Sequence, residues 1–534
     1  MDNASLSLLP TDELTPPEQS QSVSCAPEAP PAPRLKPIRR DQMVLRTIYV
    51  EELVEPDHPV RAIWELVGGL DLSRFYAGIK AVEGRAGQDA TDPRLLICLW
   101  IYAYAERVSS GREVGRRCEY HPVYQWLTGL RKVDYHTLSD FRVDYQEPLD
   151  ELFAQVLAVL QSEGLITLKR VMQDGTKIQA AAGKASLHRE PTLQKHLEEA
   201  RERVRQMGSP EKDSDSTTTA RQRAAQQRGA RQRLQRMEQA MAELDRVREE
   251  RDADTPADQC RVSETEPEVR KMKHNDGGFS PSYNLQLSAD DTEDIIVGLQ
   301  VIQARNDQNQ LGPGLDEVQR QNHQLPQQSV VDEGYLNRAT VLKMDQRGVD
   351  LIAGGNLEEN RDPEKAARNC AGRGVAPEFY PQQFVYDAEH DLYLCPAGRQ
   401  LSHRGVKHDR EGVERHEYRV ATASCRQCPH QSACCPTKGK RIRGRMIVRS
   451  QNEPVVAAFV EKMKTPEAQA IYRRRKRIAE FPNLWIKEKL GLRRFRVRGL
   501  SKVRCEALWV CLTYNIQQWM RLRWKPGLQV AAVA

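Results

Sequence analysis

Two apolar, β-branched runs in this chain each stop on an aspartate with a glycine close behind, and that arrangement constrains the fold more than any other feature. The first covers residues 165–172, ends at Gln173-Asp174-Gly175-Thr176 and resumes over 177–180. The second is Ser329-Val330-Val331, followed by Asp332-Glu333-Gly334-Tyr335. Such runs form strands, because branched side chains pack well on a pleated surface. Between them, residues 283–287 alternate cleanly, and residues 295–302 continue apolar after an acidic turn at 290–294, which predicts a hairpin. Helical patterns over 311–322 and 338–347 separate these strands from a short final one at 350–354.

The resulting order is strand, insertion, strand, strand, helix, strand, helix, strand. This is the α/β order of an RNase H-like core, a mixed five-stranded sheet with helices, before its last helices. Upstream, apolar residues such as Leu66, Leu70, Leu95, Leu99 and Tyr102 recur at helical spacing. A helical N-terminal domain is expected over 41–162, where Thr137 and Ser139 are candidate helix caps and Arg142 is expected to be free for a phosphate. The core is expected over 163–355 and 451–525, with two insertions. One, at 183–262, is polar but keeps a helical stripe through Leu234, Met237, Met241, Leu244 and Val247, the pattern of a helical hairpin with a flexible tip at 208–218. The other, at 356–450, holds a cysteine cluster. The first 40 residues open polar and acidic with many prolines, which predicts a disordered cytoplasmic tail and no signal peptide; residues 526–534 form a second tail.

Charge separates the function classes. The chain carries a formal net charge of +6, yet from Pro436 onward 24 Lys and Arg face 6 Asp and Glu, a local +18 that leaves −12 for everything before. A basic region of that kind neutralises phosphates, although RNA-binding tails and solvated basic faces show it too. No stretch approaches the roughly 20 apolar residues of a membrane helix. A soluble, cytoplasmic, nucleic-acid-binding protein is therefore expected, with no membrane contact.

Carboxylates at strand ends suit phosphodiester chemistry. Mg²⁺ is a hard ion that takes oxygen ligands, and two-metal cleavage sites hold their ions about 3.5–4 Å apart between such groups. An aspartate before glycine is more often a turn former. A third carboxylate, Glu480, follows the basic run Arg473-Arg474-Arg475-Lys476-Arg477. Glu480 and Lys487 are seven residues apart, two helical turns, so one face offers a metal ligand beside an ammonium.

At these residues the chain resembles the DDE transposases of bacterial insertion sequences, over about residues 41–521. Gln173-Asp174-Gly175-Thr176-Lys177 looks like the family's first-aspartate strand, Tyr283-Asn284-Leu285-Gln286 like its second strand, and Val331-Asp332-Glu333-Gly334-Tyr335 like its second-aspartate strand end. Tyr472, Arg475, Glu480 and Lys487 resemble the signature around the catalytic glutamate. The resemblance implies that Asp174, Asp332 and Glu480 hold two Mg²⁺ (or Mn²⁺) ions and that Tyr472, Arg475 and Lys487 position DNA. It also implies a homodimer that cleaves and joins DNA at paired terminal inverted repeats and target sites, associated with the bacterial nucleoid. One departure is Pro482, which lies two positions after Glu480 where similar sequences have proline immediately after it; proline inside a helix breaks the ladder.

Cys395, then Cys425-Arg-Gln-Cys428, then Cys434-Cys435 supply four thiols for tetrahedral zinc, with His403, His408, His416 and His430 as substitutes. A reduced, metal-free cluster and a redox role remain open, as does the choice between Cys434 and Cys435. Two rival readings stay beside the enzyme: a domesticated, catalytically inactive DNA-binding protein of the same fold, and a zinc-ribbon RNA-binding or regulatory protein, which leaves the strand-end aspartates idle.

Overall fold

The computed structural model describes residues 43, 45 and 47–527, apart from 83, 85–87, 209–219, 251–255, 275, 356, 358–362, 409–413, 437–443 and 451–453. The expected tail at 1–40 and nearly all of the insertion's tip lie outside them. The chain divides after Ile48, and every element below belongs to the larger unit.

Seven helices come first: α1 (Pro59–Gly68), α2 (Ser73–Tyr76), α3 (Pro93–Ala105), α4 (Gly111–Tyr120), α5 (Pro122–Thr128), α6 (Tyr135–Asp144) and α7 (Gln146–Ser162). Proline opens α1, α3 and α5, a position where a missing N–H costs nothing. Asp134 caps α6 by accepting from the His136 N–H at 2.8 Å. The expected caps Thr137 and Ser139 instead lie inside that helix, and the Ser139 hydroxyl donates to the Tyr135 carbonyl one turn back at 2.7 Å.

The strand β1 (Arg170–Gln179) starts the sheet. The first insertion follows as β2 (Leu187–His188), α8 (Glu190–Gly208), α9 (Ala220–Glu249) and β3 (Val262–Ser263), and β2 and β3 pair into a ribbon at its base. Then come β4 (Arg270–Lys273), β5 (Phe279–Asp290), β6 (Ile296–Ile302), α10 (Leu311–Asn322), β7 (Gln328–Val331), α11 (Arg338–Gln346) and β8 (Asp350–Ala353). The sheet order is β4-β5-β1-β7-β8, and β6 joins β5 on the edge it shares with β4. β1 runs antiparallel to β5 and parallel to β7, so the sheet is mixed. Five strands were expected and six form. The extra one, β4, reads Arg-Lys-Met-Lys and carries too little apolar alternation to be visible; lysines also suit an edge strand, where they discourage pairing with other chains.

The cysteine-bearing segment builds its own antiparallel sheet, ordered β13-β12-β11-β10-β9. Its parts follow α12 (Pro363–Gly372): β9 (Val385–Asp387), β10 (Leu392–Leu394), β11 (Gln400–His408), β12 (Glu414–Arg419), the short helices α13 (Thr422–Arg426) and α14 (Gln431–Cys434), and β13 (Met446–Ser450).

The chain returns through α15 (Pro454–Lys464) and α16 (Pro466–Leu484), a π-helical turn at Trp485–Lys489, and α17 (Leu500–Trp519). α17 is buried on nearly every side, against α3, α6, α7 and β6. Its Asn515 closes an open sheet edge: the side chain accepts from the Ile296 N–H at 3.0 Å and donates to the Ile296 carbonyl at 2.8 Å, pairing two buried backbone groups that β6 leaves over. One apolar core therefore takes in the N-terminal helices, β1, β5, β6 and α17. Among the described residues no helix is long and apolar enough to cross a membrane.

Candidate active site and cysteine cluster

Strand register brings the two aspartates together. The last paired residues of β1 and β7 are Met172 and Val330. Two residues further along each parallel strand stand Asp174 and Asp332, on the same face as Met172 and Val330 because side chains alternate. That face carries α16: Met172, Val330 and Ile352 pack under Ile478 and Ala479. On the third strand the corresponding position is Gly354, and a Cβ there would lie 2.0 Å from the Tyr472 hydroxyl. The missing side chain is what admits Tyr472.

The helix α16 begins with Thr465 as cap, accepting from the Ala468 N–H, and Pro466 in the first turn. It lays basic groups across the aspartates. Arg475 Nη2 is 3.6 Å from Asp332 Oδ2, with the arginine largely buried and the aspartate 48% exposed. The Arg475 guanidinium also lies 5.8 Å from the centre of the Tyr472 ring. Asn483 donates to Asp174 Oδ2 at 3.1 Å, and Lys487 donates to the Thr176 hydroxyl, two residues along β1 from Asp174. Burial pushes the Asp174 carboxyl up to about 6, against the pull of Arg475 and with Asp307 and Asp332 adding to the rise. Burial likewise lowers the Lys487 ammonium, and Asp174 partly offsets it.

Glu480 is exposed on α16. It lies one turn before Asn483, and side chains three apart on a helix are neighbours, so it flanks the amide that touches Asp174. Its donor atoms and those of the two aspartates do not close to within 4.8 Å of one another. α16 runs through Pro482 without stopping, but proline offers no N–H to the Ile478 carbonyl, and the helix loosens into the π turn that carries Lys487. The two-turn spacing from Glu480 to Lys487 is thereby altered, as insertions of this kind re-aim side chains.

Asp307 was not anticipated. It sits between β6 and α10, where its Oδ1 accepts from Gln286 at 2.6 Å and from Asn284 at 2.9 Å. A Cβ on Gly175 would stand 2.2 Å from that oxygen, so glycine beside Asp174 admits a third carboxylate from the opposite face. Gln286 also accepts from the Tyr335 hydroxyl and from Gln173. The polar run Asn-Asp-Gln-Asn at 306–309, between a strand and a helix, was the available signal.

Cys395, Cys425, Cys428, Cys434 and Cys435 line one small cavity with Phe379. The N–H of Arg399 donates to Cys395 Sγ at 3.3 Å and that of Arg445 to Cys425 Sγ at 3.4 Å. Cys434 and Cys435 lie 3.9 Å apart, and the hydrogen-bonded Cys434 thiol, with Arg445 adding to it, holds Cys435 down at about 6. Backbone donors and a favoured thiolate suit a metal, although no three of these sulfurs come within 4.8 Å of one another. His403 and His416 pair with each other across β11 and β12 at 3.1 Å.

Residues 394–520 match the model of the Transposase DDE domain, and residues 48–144 match that of a Transposase domain (DUF772). Both matched segments are transposase domains. Neither a curated protein nor a solved structure matches the chain. The first match takes in Tyr472, Arg475, Glu480, Lys487 and all five clustered cysteines, whereas Asp174 and Asp332 fall outside both.

One expected DNA contact is corrected by its surroundings. Arg142 is not free: it is 9% exposed, lies 5.0 Å from the centre of the Trp100 ring and donates to the Ser109 carbonyl at 2.5 Å. On α6 the inward positions are Leu138, Phe141 and Arg142, the spacing of one helical face. The guanidinium there faces buried Glu506, whose carboxyl burial raises and Arg142 pulls back.

The raised Asp174 carboxyl has a measurable consequence. A carboxyl held above its unfolded value contributes stability that is present at low pH and lost as pH rises through the folded value, here about 6. Asp174→Asn in metal-free protein is therefore expected to be more stable than the parent at pH 8, by on the order of 3 kcal/mol at most, and equal to it near pH 4. Urea denaturation at the two pH values measures this, and a difference independent of pH would disprove the assignment.

Proposed function

We propose that this chain is a DDE transposase that cuts DNA at the ends of an insertion sequence and joins strands by metal-dependent chemistry at Asp174, Asp332 and Glu480, in an RNase H-like core. The observation that carries this reading is the register of β1 and β7, which puts Asp174 and Asp332 side by side under a basic helix. The strand order, with β1 central and antiparallel to β5 but parallel to β7, supports the core assignment. The carboxylates are hard oxygen donors, and the burial that discourages charge on Asp174 favours a divalent cation beside it. Bound there, Mg²⁺ or Mn²⁺ would supply water activation and Lewis acidity.

The remaining work falls to side chains in view. Asn483 orients the Asp174 carboxylate, Arg475 stands over Asp332, the Tyr472 hydroxyl reaches Gly354 on the neighbouring strand, and Lys487 sits over Thr176. Arg475, Lys487 and the exposed arginines of α16 form the track for the DNA backbone, of terminal repeats and target alike. A homodimer would hold two ends together. Replacing Asp174, Asp332 or Glu480 by Ala should abolish metal-dependent nicking of end DNA while leaving binding nearly intact, since basic groups hold the phosphates. A nicking assay on Glu480→Ala decides the third ligand: wild-type rates would remove it from the triad and leave Glu488 or Glu467 to be tested.

Salt dependence locates the DNA path. Each phosphate neutralised contributes a slope of roughly −0.9 in log affinity against log salt. Arg475→Ala and Lys487→Ala should each reduce the slope by about one unit, whereas the exposed Arg228 and Arg233 of α9 should leave it unchanged. Binding isotherms across a salt series measure it, and the reverse pattern would move the DNA onto the helical insertion.

The clustered cysteines are read as a structural zinc site made by Cys395, Cys425, Cys428 and either Cys434 or Cys435. Cys425→Ser with Cys428→Ser should lower the zinc content of purified protein by one per chain and loosen the β9–β13 sheet first, because metal binding and local folding are one equilibrium. Unchanged elemental analysis would refute the site.

A further inference from the structure

The base of the first insertion holds a second group of metal-binding side chains, remote in kind from both sites above. His188 ends β2, His196 lies on α8, and Glu264 follows β3 directly. β2 and β3 pair with His188 opposite Val262, and the Glu264 N–H donates to the Ser186 carbonyl at 3.0 Å. The ribbon thus puts His188 and Glu264 on one face, and α8 brings His196 to it. His196 Nδ1 is 2.7 Å from Glu264 Oε2, and His188 Nε2 is 3.8 Å from the same oxygen. The two rings stand nearly perpendicular, at 81°, with centres 5.3 Å apart.

Among the described residues these three form the one set of His, Cys, Asp or Glu side chains whose donor atoms all lie within 4.8 Å of one another. Ligands about 2.0–2.1 Å from a tetrahedral zinc ion sit about 3.3 Å from each other, so the observed 2.7 and 3.8 Å bracket the required spacing. Small side-chain rotations suffice. Two imidazoles and a carboxylate are borderline donors that suit zinc better than magnesium, and all three side chains are about a quarter exposed, which leaves a path for the ion and room for a fourth, solvent ligand.

The surroundings supply the reason for a staple here. The insertion has its own small core, Leu193, Ala240, Leu244, Val247, Cys260 and Val262, beneath two long polar helices. So few apolar residues bury little surface, and small cores of this kind are commonly supplemented by a metal or a disulfide. His188, His196 and Glu264 stand where the insertion leaves and re-enters the sheet domain.

We propose that His188, His196 and Glu264 form a zinc-binding site that ties β2, α8 and the end of β3 together and so fixes the base of the helical insertion. The full chain, stripped by chelation and titrated with zinc against a chromophoric competitor, tests it. His188→Asn and His196→Asn should each bind one equivalent fewer than the parent, and zinc should raise the thermal midpoint of the parent more than that of either variant. In a Cys425→Ser/Cys428→Ser background one tight equivalent should remain, to be lost on adding His196→Asn. Glu264→Gln, which keeps a hydrogen-bonding group beside His196 but removes the charge, should lose the same equivalent without loss of helical circular dichroism, so a folding defect in the histidine variants cannot imitate the result. If the histidine and Glu264→Gln proteins bind as many equivalents as the parent, the cluster is a hydrogen-bonded ion pair and the proposal fails.

Discussion

The parallel pairing of β1 with β7 is the contact on which the rest of the site depends. It is short, only three residue pairs ending at Met172 and Val330, yet it sets everything beyond it, since a slip of one residue would turn Asp332 to the other face. With the register as it stands, the adjacent strands β1, β7 and β8 present Met172, Val330 and Ile352 and then, two residues on, Asp174, Asp332 and Gly354. Apolar residues seat α16; the next row provides two carboxylates and a gap. A single helix can therefore be both a core element and the cover of a polar site.

That arrangement concentrates charge where burial penalises it. Asp307 and Asp332 both raise the buried Asp174 carboxyl, and the carboxylates are met by Arg475, Asn483 and the amides of Asn284 and Gln286. The two glycines are the steric condition for this crowding. Gly175 lets Asp307 approach β1 and Gly354 lets the Tyr472 hydroxyl approach β8, and in each place a Cβ would overlap an oxygen.

Support for the site comes from far outside it. α17 lies at the centre of the chain, where Trp509 donates to the Arg142 carbonyl at 3.0 Å and Asn515 completes the β6 edge. The N-terminal helices and the sheet share that helix as a common wall, so the helical region and the sheet are built on one core. Arg142 belongs to this support; its cation lies against Trp100 and near Glu506, buried away from the surface.

The sequence by itself determined the strand that carries Asp174 and the one that stops before Asp332, the hairpin between them, the helices at 311–322 and 338–347, and the basic run before Glu480, because each is a local pattern of alternation, helical spacing or charge. It also showed the cysteines as a group. It did not show β4 or the β9–β13 sheet, whose strands are either short or rich in charge and acquire their pairing only from neighbours. Nor could it show Asp307, His188, His196 and Glu264 as members of sites, since Asp307 meets residues more than twenty positions away and Glu264 meets the histidines across the whole insertion, by register. The inward turn of Arg142 and the offset between Glu480 and Lys487 were likewise settled in three dimensions, the first by which face of α6 meets α17, the second by a π turn after Pro482. Local periodicity is written along the chain; the meeting of side chains across strands and helices depends on register and packing, which no single segment encodes.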